Sequence, residues 1–185
     1  VRPEFTTDAE VVSLNRRLDP YRKTKIIIND ISCFYNYDSK DRTFDIWKKE
    51  KISCPEFLPI SPIDVDNDIE KTIDRIREFI DENGKVFLRT NNETAANGMS
   101  LLDRDTPVQE ITEKLKTLID RCRVFLQQRK DTRIVLVQFI KTQTNQNFND
   151  LYRVHILFGK ILSYYAVTAD LDVFHNCDMD LNSLN

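Results

Sequence analysis

The stretch IVLVQFI, residues 134–140, constrains the fold of this chain most. A strand that is apolar on consecutive positions is buried on both faces, so some layer must cover each side of it. The run then gives way to KTQTNQNFN, a polar crossing rich in Asn and Gln, and a second apolar run follows, DLYRVHILF (150–158), with Arg153 planted inside it. Unpaired buried charge costs on the order of several kcal/mol. Arg153 therefore reads as a clamp for phosphate or carboxylate, which its planar fork suits. An acid on an adjoining strand, or an edge facing water, would satisfy it equally.

Around that strand the periodicity alternates between helix and sheet. TTDAEVVSLNRRLD (6–19) predicts a helix, with Thr7 and Glu10 as a capping box and Val11, Leu14 and Leu18 on one face. TKIIIND (24–30) has the composition of a short buried strand. Residues 37–60 read as a second helix capped by Ser39 that cannot reach Pro55, and 66–84 as a third whose stripe is Ile69, Ile73, Ile76 and Ile80. KVFLRTN (85–91) and GMSLLD (98–103) predict strands around the loop NETAAN. Thr106-Pro107 opens a long helix, with Gln109 in the reciprocal capping position and Val108, Ile111, Leu115, Leu118, Cys122 and Phe125 on its buried face. Gly159-Lys160 predicts a two-residue hairpin turn, which sets His155 against Tyr164 and Arg153 against Ala166, with Tyr152, Val154, Ile156 and Phe158 packed on a core.

Composition removes several function classes. The 27 basic and 30 acidic residues are mixed along the chain, and the net charge of -3 argues against a nucleic-acid or anionic-membrane surface. No apolar stretch approaches the ~20 residues of a membrane span. Cys33, Cys54, Cys122 and Cys177 form no C-x-x-C pair and, with two histidines in the chain, predict no zinc site. Scattered single thiols fit a reducing, cytoplasmic setting. His155 and His175 are isolated, and neither is assigned a catalytic role. The chain starts at Val1 rather than Met and ends at LNSLN, so it reads as a fragment.

In succession, four segments resemble the ATP-grasp superfamily. SKDRTFDIWKKEKISCPEF (39–57) is similar to its Ser-Lys and Thr-Phe helix leading into a linker. KVFLRTN is similar to the strand that ends in a phosphate-binding lysine, and IVLVQFI to the hinge strand that receives adenine. DLYRVHILFGKILSYYAVT (150–168) resembles the hairpin that begins the carboxy-terminal lobe. The resemblance implies an α+β fold, with a small antiparallel sheet and helix lobe (85–140) joined to the start of a larger antiparallel-sheet lobe (141–185). The end of an α/β domain (1–36) and connecting helices (37–84) would precede them.

It also implies ATP as ligand, with Lys40, Arg89 and the loop residues Asn97 and Gly98 on the phosphates. The backbone of Gln138, Phe139 and Ile140 would meet adenine, and Arg153 would be catalytic at the transferred phosphoryl group. The implied reaction joins a small-molecule carboxylate to an amine or thiol through an acyl-phosphate, with Mg²⁺ ligands expected beyond Asn185. Against the pattern, Arg89 stands where lysine is usual, Gly98 is the loop's one glycine, and no acid follows Gln138. These departures give the alternative, an ATP-grasp-shaped module that binds a ligand or protein without turnover.

Overall fold

The computed structural model describes residues 6–28, 30–93, 98–140, 148–157 and 159–170, with the backbone alone at 148–153 and 166–170. The chain divides into two compact units, Val1–Phe139 and Ile140–Asn185.

The first unit is built on four antiparallel strands. These are β1 (Phe57–Ile60), β2 (Val86–Thr90), β3 (Ser100–Leu102) and β4 (Ile134–Gln138), in the order β1-β4-β2-β3. β4 is interior, and Ile134, Val135 and Leu136 are all fully buried, as their continuous apolarity predicts. One sheet face presents Ile60, Val86, Leu88, Leu102, Ile134 and Leu136 to two helices, α5 (Ile69–Asn83) and α6 (Val108–Leu126). The α5 stripe contributes Ile73, Ile76 and Ile80. Asp68 caps that helix at its start, and Gly84, at φ +75°, ends it. The other face carries Phe57, Phe87, Arg89, Val135 and Val137, which the ladder sets side by side. Helix α3 (Lys40–Lys49) reaches this face through Phe44, whose ring lies 5.3 Å from that of Phe57. Two further helices, α1 (Asp8–Leu18) and α2 (Phe34–Asp38), precede it, and α4 (Pro62–Asn67) links β1 to α5. The capping box of Thr7 and Glu10 on α1 forms as expected.

Four expectations for this unit are corrected. The described residues of TKIIIND form no strand: Ile26 is 82% exposed, and the segment follows a 3-10 turn at Asp19–Tyr21. Local polar chemistry overrides its β propensity, because Arg22 ties together Asp19, Asn15 and Asp30, the last of which caps Ser32. The helix expected over 37–60 stops at Lys49, and Lys51 takes φ +57°. Phe57–Ile60 then forms β1, with Pro59 opposite Val135; an edge strand tolerates the missing N–H. Gln109 makes no reciprocal cap, since its amide bonds Glu113, while Thr106 closes a turn with Asp103. Val108 is half-exposed rather than part of the buried face.

The second unit is a two-stranded antiparallel ribbon of β5 (Phe148–Leu157) and β6 (Lys160–Asp170). Its register differs from the expected one. Leu157 pairs with Lys160 across a connection containing Gly159 at φ +73°. Leu162 is then left over as a bulge between Ile161 and Ser163. His155 consequently opposes Ser163 and Arg153 opposes Tyr165. The apolar face expected to pack on a core is open at Val154 and Ile156, which are 49% and 64% exposed. Among the described residues, no helix is long and apolar enough to cross a membrane.

Candidate functional site

Lys40 opens α3, and Arg89 lies on β2 on the sheet face that α3 approaches. Both end at one atom. The Lys40 Nζ donates to the Glu93 backbone oxygen at 2.8 Å, and the Arg89 Nη2 donates to the same oxygen at 2.9 Å. Lys40 also reaches the Asn91 carbonyl, through Nζ at 3.2 Å and through its own backbone N–H at 3.0 Å. Two cations 49 positions apart in sequence are thus gathered on the segment that leaves β2.

Burial of Lys40 lowers its pKa to about 7, and the Arg89 charge pushes in the same direction, against Asp38 and Glu93. Burial likewise lowers the pKa of Arg89, whose buried Nε has no hydrogen-bond partner among the described residues. Among the described residues, backbone carbonyls hold these two side chains at their tips, with a long contact between Arg89 and the Met99 sulfur. Such a pair suits a bound anion, which would satisfy the orphan donor and offset the mutual repulsion.

The neighbouring acid is locked away from them. The Glu93 carboxylate accepts from Arg121 Nε at 2.7 Å and from the Thr90 hydroxyl at 2.7 Å. Cys122 lies in the same region, and burial pushes its thiol up to about 12, so it is a core group rather than a nucleophile.

Beneath the cations runs a buried polar frame that joins α2 and α3 to the turn before β4. Arg129 is fully buried, with Nε on Asp131 at 2.7 Å, Nη1 on Asp38 and Nη2 on the Ser39 hydroxyl at 2.9 Å. Its guanidinium also lies 4.9 Å from the Phe34 ring centre. The Ser39 hydroxyl, expected to cap α3, donates instead to Asp131. Asn91 is the second joint: its amide donates to Asp41 at 3.0 Å and to the Asp131 carbonyl at 2.9 Å, and its side-chain oxygen accepts from Arg133 N–H. This frame fixes the start of α3, and hence Lys40, relative to the end of β2.

The remaining residues singled out in the sequence are placed as follows. Gly98 has φ +65°, and a Cβ there would meet Leu118 at 3.2 Å, so close approach to α6 accounts for the glycine. Gln138 ends β4 and Phe139 follows it, and their backbone N–H groups are already donated to the Glu56 and Lys85 carbonyls. Phe139 stacks edge-on against Phe87, and Ile140 is half-exposed. Asn97 and the side chain of Arg153 lie outside the described residues. Sequence reasoning missed Glu93, Asn91 and Arg129; the run Asn91-Asn92-Glu93 directly after a strand was the available signal for the first two.

The chain of D-alanyl-alanine synthetase A from Vibrio cholerae O1 biovar eltor superposes with a TM-score of 0.51 at 12% identity, over 78% of this chain and 38% of that one. The architecture is thereby defined as ATP-grasp-like, a mixed helix and sheet fold with antiparallel sheets. A D-alanine-D-alanine ligase from Helicobacter pylori aligns over 90% of this chain and 44% of its own, with 15% identity and a TM-score of 0.47. The chain therefore spans less than half the length of either structure. No family model and no curated protein matches it.

Proposed function

We propose that the chain binds ATP, with Lys40 and Arg89 on the phosphates, as part of an ATP-dependent ligase that joins a small-molecule carboxylate to an amine or thiol. The supporting observation is the convergence of those two buried cations on the Glu93 carbonyl, in a fold of ATP-grasp type. Anionic oxygens would replace that carbonyl as their acceptor and would also take up the unpartnered Arg89 Nε. Arg153 and the backbone from Gln138 to Ile140 are assigned to the phosphoryl group and the adenine on the sequence resemblance alone. Mg²⁺ would accompany the nucleotide, but the described residues contain no cluster of three His, Cys, Asp or Glu side chains to hold it. Scattered free thiols at Cys33, Cys54 and Cys122 fit a cytoplasmic protein.

Titration calorimetry with a non-hydrolysable ATP analogue tests the reading. Binding is expected to weaken at least about tenfold in Lys40→Ala and in Arg89→Ala, the loss of about one charge-assisted bond. Absence of binding by the unmodified protein overturns it. A second reading, a binder without turnover, is favoured by Arg89 standing where lysine is usual and by Gly98 as the one glycine of its loop. Binding of the analogue without release of ADP from ATP, over a panel of carboxylates and amines, would select that reading.

A further inference from the structure

Lys40 has a second chemical capacity that nucleotide binding does not use. A neutral lysine amine has two N–H bonds and one lone pair. Lys40 Nζ has two carbonyl acceptors, on Asn91 and Glu93, at 3.2 and 2.8 Å. The neutral amine therefore places both hydrogens and leaves its lone pair in the remaining tetrahedral direction. The charged groups around it come from several elements: Arg89 on β2, Glu93 after it, Asp38 at the end of α2, and Arg129 after α6. The Glu93 carboxylate accepts from Arg121 and that of Asp38 from Arg129, and both favour the charged lysine while burial and Arg89 oppose it. Arg89 shares the Glu93 carbonyl with Lys40 and holds a buried Nε–H without an acceptor.

We infer that Lys40 is an acylation site selective for acyl phosphates, with Arg89 as the anchor for the phosphate. The lone pair on Nζ attacks the acyl carbon, the C–N bond forms, and the C–O bond to phosphate breaks. The phosphate leaves with the bonding electrons and takes the proton from nitrogen, so amine and acyl phosphate become amide and hydrogen phosphate. Burial and the Arg89 charge hold Lys40 near pKa 7, which keeps much of it in the reactive form at neutral pH. The product amide carries no charge, so acylation removes one of the two cations on which anion binding depends. The inference concerns an anion and an electrophile alone, and does not rest on the ligase reading.

The test uses the unmodified protein, acetyl phosphate at pH 7.5, and peptide mass spectrometry of each lysine over time. Lys48 is the comparator, because its bond to Glu56 raises its pKa. Lys40 is expected to acetylate on the order of tenfold faster, its larger neutral fraction outweighing its lower basicity. Inorganic phosphate should protect Lys40 and leave Lys48 unchanged. In Arg89→Gln, the preference of Lys40 for acetyl phosphate over the uncharged reagent p-nitrophenyl acetate should fall by a similar factor. A Lys40 rate no greater than that of Lys48 overturns the site, and failure of phosphate to protect overturns the anchor. Both readouts are made without nucleotide, so they stand or fall separately from the ATP titration.

Discussion

The first sheet and the second ribbon are written in the same alternating, β-branched and aromatic alphabet, yet they end in different environments. In the four-stranded sheet Val86, Leu88, Ile134 and Leu136 are fully buried, because α5 and α6 lay matching apolar stripes across them. In the β5–β6 ribbon, Ile156, Ile161, Leu162 and Tyr164 are between 63% and 77% exposed. Burial belongs to the layer that covers a strand and not to the strand itself. A hairpin with no such layer is marginal in water. The two regions also treat charge differently: the first unit encloses a complete guanidinium, while in the second the polar pair of His155 and Ser163 is exposed.

That enclosed charge gives the largest expected effect. Arg129→Ala removes the buried guanidinium that bonds both Asp38 and Asp131, and the loss should be about 3–5 kcal/mol in urea unfolding of the first unit. The change should also alter the acid limb of stability. Burial opposes ionisation of Asp131, but its bonds to Arg129 and Ser39 win and lower its pKa. The stability from Asp131 is therefore present above the ordinary aspartate range and is lost as pH falls through the lowered value. In Arg129→Ala that loss should begin at higher pH. An unchanged acid limb would show that Arg129 is not the main support of Asp131.

Lys40→Met is expected to act in the opposite direction and by less. Lys40 titrates at about 7 in the fold against an ordinary 10.5, so the unfolded chain binds more protons between those values. Stability of the unmodified protein should accordingly rise with pH from about 7 to 10, and the cost of burying the ammonium is complete below 7. Methionine removes that cost but also the bonds to the Asn91 and Glu93 carbonyls. A net gain on the order of 1–2 kcal/mol at pH 6, fading toward pH 10, is the expected outcome of unfolding at both pH values. A loss at pH 6 would mean that those bonds outweigh the charge.

How much was legible in the sequence follows the same division. The isoleucine stripe of α5, the apolar runs of β2 and β4 and the capping box of α1 are local patterns, and the structure forms each of them. β1 was hidden because Pro55 and Pro59 argue against a strand until its edge position is known. TKIIIND was misread because Arg22 and Asp30 impose a turn that propensity does not register. Lys40 and Arg89 stood out through their places on a helix start and a strand end. Arg129 did not, because its partners Asp38 and Ser39 lie about 90 residues away and only the fold brings them in. The hairpin register slipped at the turn, which closes on Leu157 and Lys160 rather than one residue further along each strand, and the bulge at Leu162 then shifts every pair beyond it again.

The smallest effect bears most directly on the comparison. Ile156 and Ile76 are the same side chain, the first 64% exposed on β5 and the second fully buried on α5. Truncating a buried isoleucine to alanine costs about 2–5 kcal/mol through lost transfer energy and the cavity left behind. Ile156→Ala removes methyl groups that already face water, so its effect on unfolding should stay within about 0.5 kcal/mol. A loss comparable to that of Ile76→Ala would mean that something covers the ribbon in solution, either a second copy or another part of the chain. The concentration dependence of the loss decides between them, because a second copy stabilises by mass action and an intramolecular cover does not.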